Sequence, residues 1–428
     1  MRGRQEFSRG MSGKTAPGIT LVILALVGVV GYFQYQRHQA RNEELAIAAL
    51  TISRSFVMPF DRSLEVSMSR GLAFLAKNQN EDGSFGGIPP GAKEGDVGIT
   101  ALAVMAWATS SEATRKDIEG PFSKGIEFIL SHQQQNGSII NVGQGLNTYK
   151  TATAILALRA VDPEKYGGAI RKARDYLVGL QLHEGNGNVD KKNPHYGAWG
   201  YKEGKPNGNL STTHFALEAL KEAGLSESDP AWQRAIVFLQ RCQNRSESND
   251  YTVGVSVGDD GGFRYDPGLR KEMGLPTESK DGAMRFPSYA SMTYAGLKSL
   301  LNANLSKDDP RVKAAVGWIR KHYTLEENYG LGTRDDPKRA KQGLYYYYLA
   351  FARALDAYGE DVLRGEDGSE HRWAEDLSEK LISLQREDGS WMNEEDRWWE
   401  ADPGLVTAYA VSALAIAGKN ISVKRGSR

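Results

Sequence analysis

The sequence predicts an all-α protein, six helix pairs closed into an α/α barrel and preceded by a transmembrane helix. Three observations predict it. A helix-turn-helix pattern recurs six times between residues 62 and 420. The second helix of each pair is rich in Ala and Leu on every side, so it is buried on several faces. An apolar run, Ile19 to Phe33, follows Arg2, Arg4, Arg9 and Lys14 near the N-terminus.

The apolar run is extended by Pro17, Gly18, Gln34 and Tyr35 to the length of a single span. The residues at its end and beyond, Tyr32 to His38, are bulky and offer no small-x-small cleavage site, so an uncleaved anchor is expected rather than a signal peptide. Basic residues are denser before the run than after it. That asymmetry keeps the N-terminus cytoplasmic and puts the globular part on the far side, the periplasm in a bacterium. The expected order is a cytoplasmic tail (1–16), an anchor (17–36), a connector (37–61), the repeats (62–420) and a basic tail (421–428).

Composition excludes several classes. The 53 basic and 53 acidic residues cancel, which argues against nucleic-acid binding. The single cysteine, Cys242, rules out an internal disulfide and a Cys-rich zinc site. No metal and no cofactor are expected.

Each repeat carries the same devices. An aromatic residue stands five positions before a fixed polar one, at Phe74, Phe128, Tyr176, Phe238 and Trp318, and Lys380 replaces it in the sixth. An aliphatic follows at Leu75, Ile129, Leu177, Leu239, Ile319 and Leu381. The fixed position is Gln79, Gln133, Gln181, Gln243 and Gln385, with Tyr323 in the fifth repeat. Gly stands four residues later at Gly83, Gly137, Gly185 and Gly389, where a left-handed residue stops a helix. Phe85 and Trp391 then pin the turn, and a Thr, Ser, Asp or Asn is expected to cap the next helix. The unequal repeat lengths favour closure over an open solenoid, because long loops gather at one mouth.

The pattern aromatic-Leu-x-x-x-Gln-x-x-x-Gly-Ser-aromatic resembles the QW-type repeat of the terpene cyclase and protein prenyltransferase β-subunit superfamily. Gln79 to Phe85 and Gln385 to Trp391 match best, and the likeness covers residues 62 to 418. It implies an α/α toroid whose inner helices line a central cavity. The segments GGFRYDPG, SMTYAGLKSL, GLYYYYLAFARALDA and RWWEADPGLVTAYA are similar to bacterial prenyltransferase/squalene oxidase repeat proteins.

The superfamily's known chemistries match this chain incompletely. Squalene–hopene-type cyclases use Asp-x-Asp-Asp at an inner-helix start. Here Asp96-Val97-Gly98 keeps the first Asp and has Gly98 at the acid position, and Asp402-Pro403-Gly404 is equally partial. Both aspartates suit helix N-termini. Prenyltransferases hold zinc with Asp-x-Cys at an inner helix, whereas Cys242 lies in an outer one. The Cys-Gly-Glu-Gln of thioester domains has no counterpart.

Candidate site residues lie at the starts of the inner helices and in the loops before them. Tyr149, Tyr289, Tyr294, Tyr345, Tyr346, Trp398 and Trp399 are the expected cavity wall, since four tyrosines in a row circle a helix and one must face inward. Asp402, Glu400, Asp266 and His214 are the candidate acids and bases. Trp199, Tyr201, Phe263, Arg264 and Tyr265 are expected in loops over one mouth, and Asp259-Asp260-Gly261 reads as a turn. The functional expectation is a membrane-anchored toroid that binds or processes an apolar, isoprenoid-type or ring-shaped small molecule. A non-catalytic scaffold of the cell envelope and a polysaccharide-active α/α barrel, which needs paired carboxylates, are the alternatives.

Overall fold

In the computed structural model the described residues are 60–425, apart from 88–91, 93, 116–117, 188, 202, 206, 268–276 and 279–283. The chain divides into two compact units, 1–60 and 61–428. The expected anchor at 17–36 and connector at 37–61 lie outside the described residues save for the last two positions, Phe60 and Asp61, which open the first helix.

Among the described residues twelve long helices make six pairs: α1 (Phe60–Lys77) with α2 (Val97–Thr109), α3 (Glu119–Ser131) with α4 (Asn147–Val161), and α5 (Gly167–Leu180) with α6 (Leu210–Glu222). The remaining pairs are α7 (Pro230–Cys242) with α8 (Ala290–Asn302), α9 (Pro310–Lys321) with α10 (Leu344–Tyr358), and α11 (Trp373–Leu384) with α12 (Pro403–Arg425). Two short antiparallel ribbons, β1 (Thr277–Glu278) with β2 (Met284–Arg285) and β3 (Leu363–Arg364) with β4 (Glu370–His371), lie in the connections.

Even-numbered helices form the inner ring. Each packs on the next, and α12 packs on α2, so the ring is closed. The sequence dictates which helix goes inside. In α2 every residue from Val97 to Ala108 is buried, as an all-round apolar surface requires. The outer α7 buries Ala231, Trp232, Ala235, Phe238 and Leu239 at helical spacing and leaves its polar face to solvent. Among the described residues, one stretch, Pro403–Ser422, is long and apolar enough to cross a membrane. It is largely buried inside the ring, as a core helix would be.

The repeat glutamines are the rivets between neighbours. Gln79 Nε2 donates to the Gly83 carbonyl of its own turn and to the Pro121 carbonyl of the next outer helix. Gln181 does the same to Gly197 and Ala231, and Gln243 to Gly261 and Arg311. Gln385 donates to Gly389 and back to the Ser67 carbonyl in α1, so one chemical device both links the repeats and closes the ring. In the fifth repeat Tyr323 reaches the next outer helix instead, donating to Asp376 at 2.7 Å.

A second rivet is a threonine on five of the six inner helices. Thr100, Thr151, Thr213, Thr293 and Thr407 accept from the backbone N–H of Phe85, Ile139, Trp199, Phe263 and Trp391. The fifth repeat again departs. Tyr347 and Tyr348 donate to the Thr324 and Leu325 carbonyls, which ties the preceding loop to α10.

Two expectations need correction. The turn glycine of the third repeat is Gly197, not Gly185. Gly197 has φ +84°, and a Cβ there would lie 1.8 Å from the Arg234 carbonyl, whereas Gly185 is not left-handed. The insertion in that loop moves the turn downstream, so counting from Gln fails. Capping by Asp or Asn holds for α2, α6 and α12. Helices α4, α8 and α10 instead start at left-handed Leu146, extended Tyr289 and left-handed Gly343, none of which caps its helix with its own side chain.

Candidate functional site

All six inner helices begin at the same mouth, because each follows its outer partner through a turn on that side. The first two turns of these helices surround a cavity of about 450 Å³. The inner helices contribute Ile99, Tyr149, Ser211, Phe215, Ser291, Met292, Tyr346, Leu405 and Tyr409. Leu146, Tyr201, Tyr265, Tyr289 and the run Arg397 to Glu400 close it from the loops. The volume falls within the ~300–1,000 Å³ of small-molecule pockets.

Six tyrosines line this space. The Tyr149 and Tyr409 hydroxyls stand 3.0 Å apart, and those of Tyr201 and Tyr265 2.9 Å apart. Tyr149 meets Phe215 edge-to-face at 4.8 Å, and Tyr346 meets Tyr409 in the same way at 6.3 Å. Burial pushes the phenols of Tyr149, Tyr289, Tyr346 and Tyr409 up, so all four are protonated at neutral pH.

Trp398 and Trp399 adopt left-handed φ of 58° and 64°. Such values are costly for bulky side chains, and strain of this kind concentrates at functional sites. The two indoles bound the cavity, and Trp399 keeps 36% of its surface exposed. Arg397 sits with its guanidinium 5.0 Å from the Trp398 ring centre, also at the mouth.

Glu400 is the carboxyl on the cavity wall, and it is 1% exposed. Its oxygens accept from the backbone N–H of Tyr346 at 2.7 Å, from that of Tyr345 at 3.3 Å, and from Asn393 Nδ2 at 2.6 Å. It therefore caps α10, whose own N-cap Gly343 has no side chain to do so. Burial pushes its pKa up to about 7, against the opposing pull of those donors. Burial thus favours the protonated carboxyl well above the usual carboxylate range.

The other candidate acids lie elsewhere. Asp402 caps its own helix, accepting from Leu405 N at 2.9 Å, and burial raises its pKa. Asp266 is buried outside the cavity wall. His214 is buried beside Phe215, and burial lowers its pKa to about 4, so it is neutral at pH 7. Of the expected wall, Tyr149, Tyr289, Tyr346, Trp398 and Trp399 line the cavity. Tyr294 packs instead against Tyr347 and Phe351, and Tyr345 against Tyr348.

Sequence reasoning missed Tyr409, Phe215, Ser211 and Arg397. The signal for Tyr409 was present, as a lone phenol inside VTAYAVSALA, where a polar atom in an all-round buried helix must face the lumen. It also missed the ion pairs. Lys150 on α4 lies 2.8 Å from Asp96, both fully buried, and also donates to Asn141 and Gln144. Farther from the mouth, Arg353 Nη1 donates to Glu218 at 2.8 Å, with Lys298 at 3.9 Å. Burial alone would raise the Glu218 carboxyl, but Arg353 and Lys298 outweigh it and hold it low. Among the described residues no cluster of three or more His, Cys, Asp or Glu is arranged to hold a metal ion.

Known proteins share this architecture. The family described as the prenyltransferase alpha-alpha toroid domain matches residues 207–423, and that described as the squalene-hopene cyclase C-terminal domain matches residues 89–258. The chain is 24% identical over 233 residues to a probable squalene–hopene cyclase of Sinorhizobium fredii, a match spanning 50% of this chain and 35% of that protein. The type II terpene cyclase MstE from Scytonema superposes with a TM-score of 0.51 at 15% identity, covering 85% of this chain and 100% of that one. A variant of MstE in complex with geranylgeranyl dihydroxybenzoate gives 0.52 at 15% identity, covering 85% and 99%. At such identities the structural likeness concerns the fold.

Proposed function

The chain belongs to the prenyltransferase α/α-toroid family, and from that premise we propose that its tyrosine-lined cavity binds and processes an isoprenoid-type small molecule. One observation carries the reading: the six inner helices converge on an aromatic cavity that opens at one mouth of the ring. That MstE, with the same fold, has been captured with a geranylgeranyl compound supports the choice of an isoprenoid.

Glu400 is the group we assign to proton exchange. It lines the cavity and its pKa of about 7 suits giving and accepting a proton at neutral pH. An acid of that strength serves an oxygen atom or an activated C–H bond and is too weak for an isolated alkene. Asp96, where cyclases of this superfamily begin their acid motif, is here committed to Lys150 and to the N–H of Ile99. A polysaccharide-active site is less well supported, since Asp402 is engaged at its own helix terminus and does not form a facing pair with Glu400.

The test is mass spectrometry of small molecules co-purified with the protein from its own membranes. An isoprenoid-type compound is expected, and it should be lost from Tyr346→Trp, which fills the cavity. Recovery of no small molecule from the unaltered protein would overturn the reading. We propose further that residues 17–36 anchor the chain in the membrane, with the ring on the periplasmic side. Protease added to spheroplasts should then degrade the ring. Protection of the ring would overturn that placement.

A further inference from the structure

Three inner helices are tied near their starts by an asparagine of the next repeat. Asn141 Oδ1 accepts from the Val97 N–H of α2 at 3.0 Å, and its Nδ2 donates to the Gly95 carbonyl. Asn328 Oδ1 accepts from the Ser291 N–H of α8 at 2.8 Å, and its Nδ2 donates to Ser291 Oγ and to the Gln342 carbonyl. Asn393 stands four residues after its turn glycine, Gly389, as Asn141 does after Gly137, yet it meets α10 differently. Its Nδ2 donates to Glu400 Oε2 at 2.6 Å, and Glu400 in turn accepts from the N–H groups of Tyr345 and Tyr346. A carboxyl stands between the asparagine and the helix. The two direct ties show that an amide oxygen suffices to dock an inner helix. Burying a carboxyl costs free energy, and Glu400 is buried on the cavity wall, so docking alone does not account for it.

The orientation of Asn393 is fixed. Its Oδ1 accepts from the Glu395 N–H at 3.1 Å, and its Nδ2 also donates to the Lys341 carbonyl at 2.7 Å. Turning the amide over would set Oδ1 against the Lys341 carbonyl and Nδ2 against an N–H. A donor therefore always faces Glu400 Oε2. The backbone N–H of Asn393 bonds the Glu400 carbonyl at 3.0 Å, so main chain and side chain hold the same residue. Burial drives the Glu400 carboxyl toward its protonated form, and the Asn393 bond is the largest of the pulls against it. The titratable groups facing Glu400 are the phenols of Tyr345 and Tyr348 on α10 and Tyr409 on α12, all raised by burial and protonated at neutral pH. Arg397 lines the same mouth.

We infer that Asn393 is a positioning residue for this cavity: its amide N–H holds the Glu400 carboxyl against the start of α10 and stabilises the ionised form that takes up a proton. The inference rests on the assignment of proton exchange to Glu400 and adds the group that controls it.

The experiment is an infrared pH titration of the full-length protein in detergent, following the carboxylic-acid C=O band that vanishes in Glu400→Gln. In the unaltered protein this band is expected to titrate near neutral pH. Asn393→Leu removes the donor and should raise the midpoint by at least about one pH unit, the size of one hydrogen bond to a charged group. Asn393→Asp keeps the shape but loses the donor, so it should raise the midpoint too, and it serves if the leucine variant does not fold. Asn249→Leu breaks buried ties to the Arg241 and Gln243 carbonyls, and should lower stability while leaving the midpoint in place. A midpoint that stays or falls in the folded Asn393 variants overturns the inference and leaves proton exchange by Glu400 standing. An equal rise in Asn249→Leu would mark general loosening and overturn it as well. A Glu400 band without a midpoint near neutral pH in the unaltered protein overturns the proton-exchange assignment and the role of Asn393 together.

Discussion

Nine or ten residues into their helices, Glu218, Arg353, Lys298 and Met105 meet in the lumen. Arg353 bonds Glu218 at 2.8 Å and reaches the Met105 sulfur at 3.3 Å. Two or three residues into the same inner helices, Tyr149, Ser211, Ser291 and Tyr346 border about 450 Å³ of space. At 1.5 Å per residue the two levels are roughly 10 Å apart. The deeper level satisfies its own charges within the protein. The level at the mouth pairs the Tyr149 hydroxyl with that of Tyr409 and leaves the Tyr289 hydroxyl without a hydrogen-bond partner. Neighbouring turns of the same helices thus serve different ends: the deeper one holds the ring in register, and the outer one is built for something that arrives.

If this contrast is real, changes at the deep level cost stability and changes at the mouth cost binding. The largest stability effect is expected for Arg353→Ala, which strands the buried Glu218 carboxylate and should cost about 3–5 kcal/mol in urea unfolding. Replacing both partners by apolar residues, in Glu218→Leu with Arg353→Met, should restore most of that loss. A neutral Arg353→Ala would mean that the deep level is wet, and the contrast would collapse.

Glu400 is the mouth residue with the largest expected effect, and its signature is pH. Its folded pKa of about 7 lies above the unfolded value near 4.5, so the native state binds more protons between the two. Stability from this group is full below about pH 4.5 and is lost as pH rises toward 7, by on the order of 3 kcal/mol. Glu400→Gln should flatten that slope in pH-dependent unfolding. An unchanged slope would show that the carboxyl is not held as the hydrogen bonds indicate.

A smaller effect is expected for Tyr149→Phe. It removes a phenol–phenol bond and should cost about 1 kcal/mol or less, while weakening ligand binding measurably. The smallest is Trp399→Ala. Its indole is partly exposed and its backbone is left-handed, so stability should change by under about 0.5 kcal/mol, with ligand affinity reduced. A large loss of stability from Trp399→Ala would make the loop a structural brace rather than a wall of the cavity.

The ring was legible because its rivets are sequence-local. Gln79 and Gly83, or Gln385 and Gly389, stand four residues apart, so one spacing recurs wherever the turn keeps its length. Where the loop grows, as before Gly197, the spacing is lost although the geometry is kept. The fifth repeat was ambiguous for another reason. Its tyrosine run serves two purposes, with Tyr346 at the cavity and Tyr347 and Tyr348 replacing the threonine rivet, and periodicity alone does not separate them. The buried ions were opaque because Lys150, Glu218 and Arg353 look like solvated residues until the helices carrying them are known to be inner. Placement of a charge depends on tertiary packing that no short window contains.

The bond from Gln385 to the Ser67 carbonyl joins residues 318 positions apart, and it has a consequence for how the protein folds and fails. A linear array of repeats can fray from its ends, and its terminal units need special caps. A ring has no terminal unit, so its first and last repeats are as well buttressed as the middle ones. The cost falls on kinetics: the sixth helix pair must be synthesised before the first gains its second neighbour. Until then α1 presents an unpaired flank, and that interval is when the chain is most exposed to misassembly.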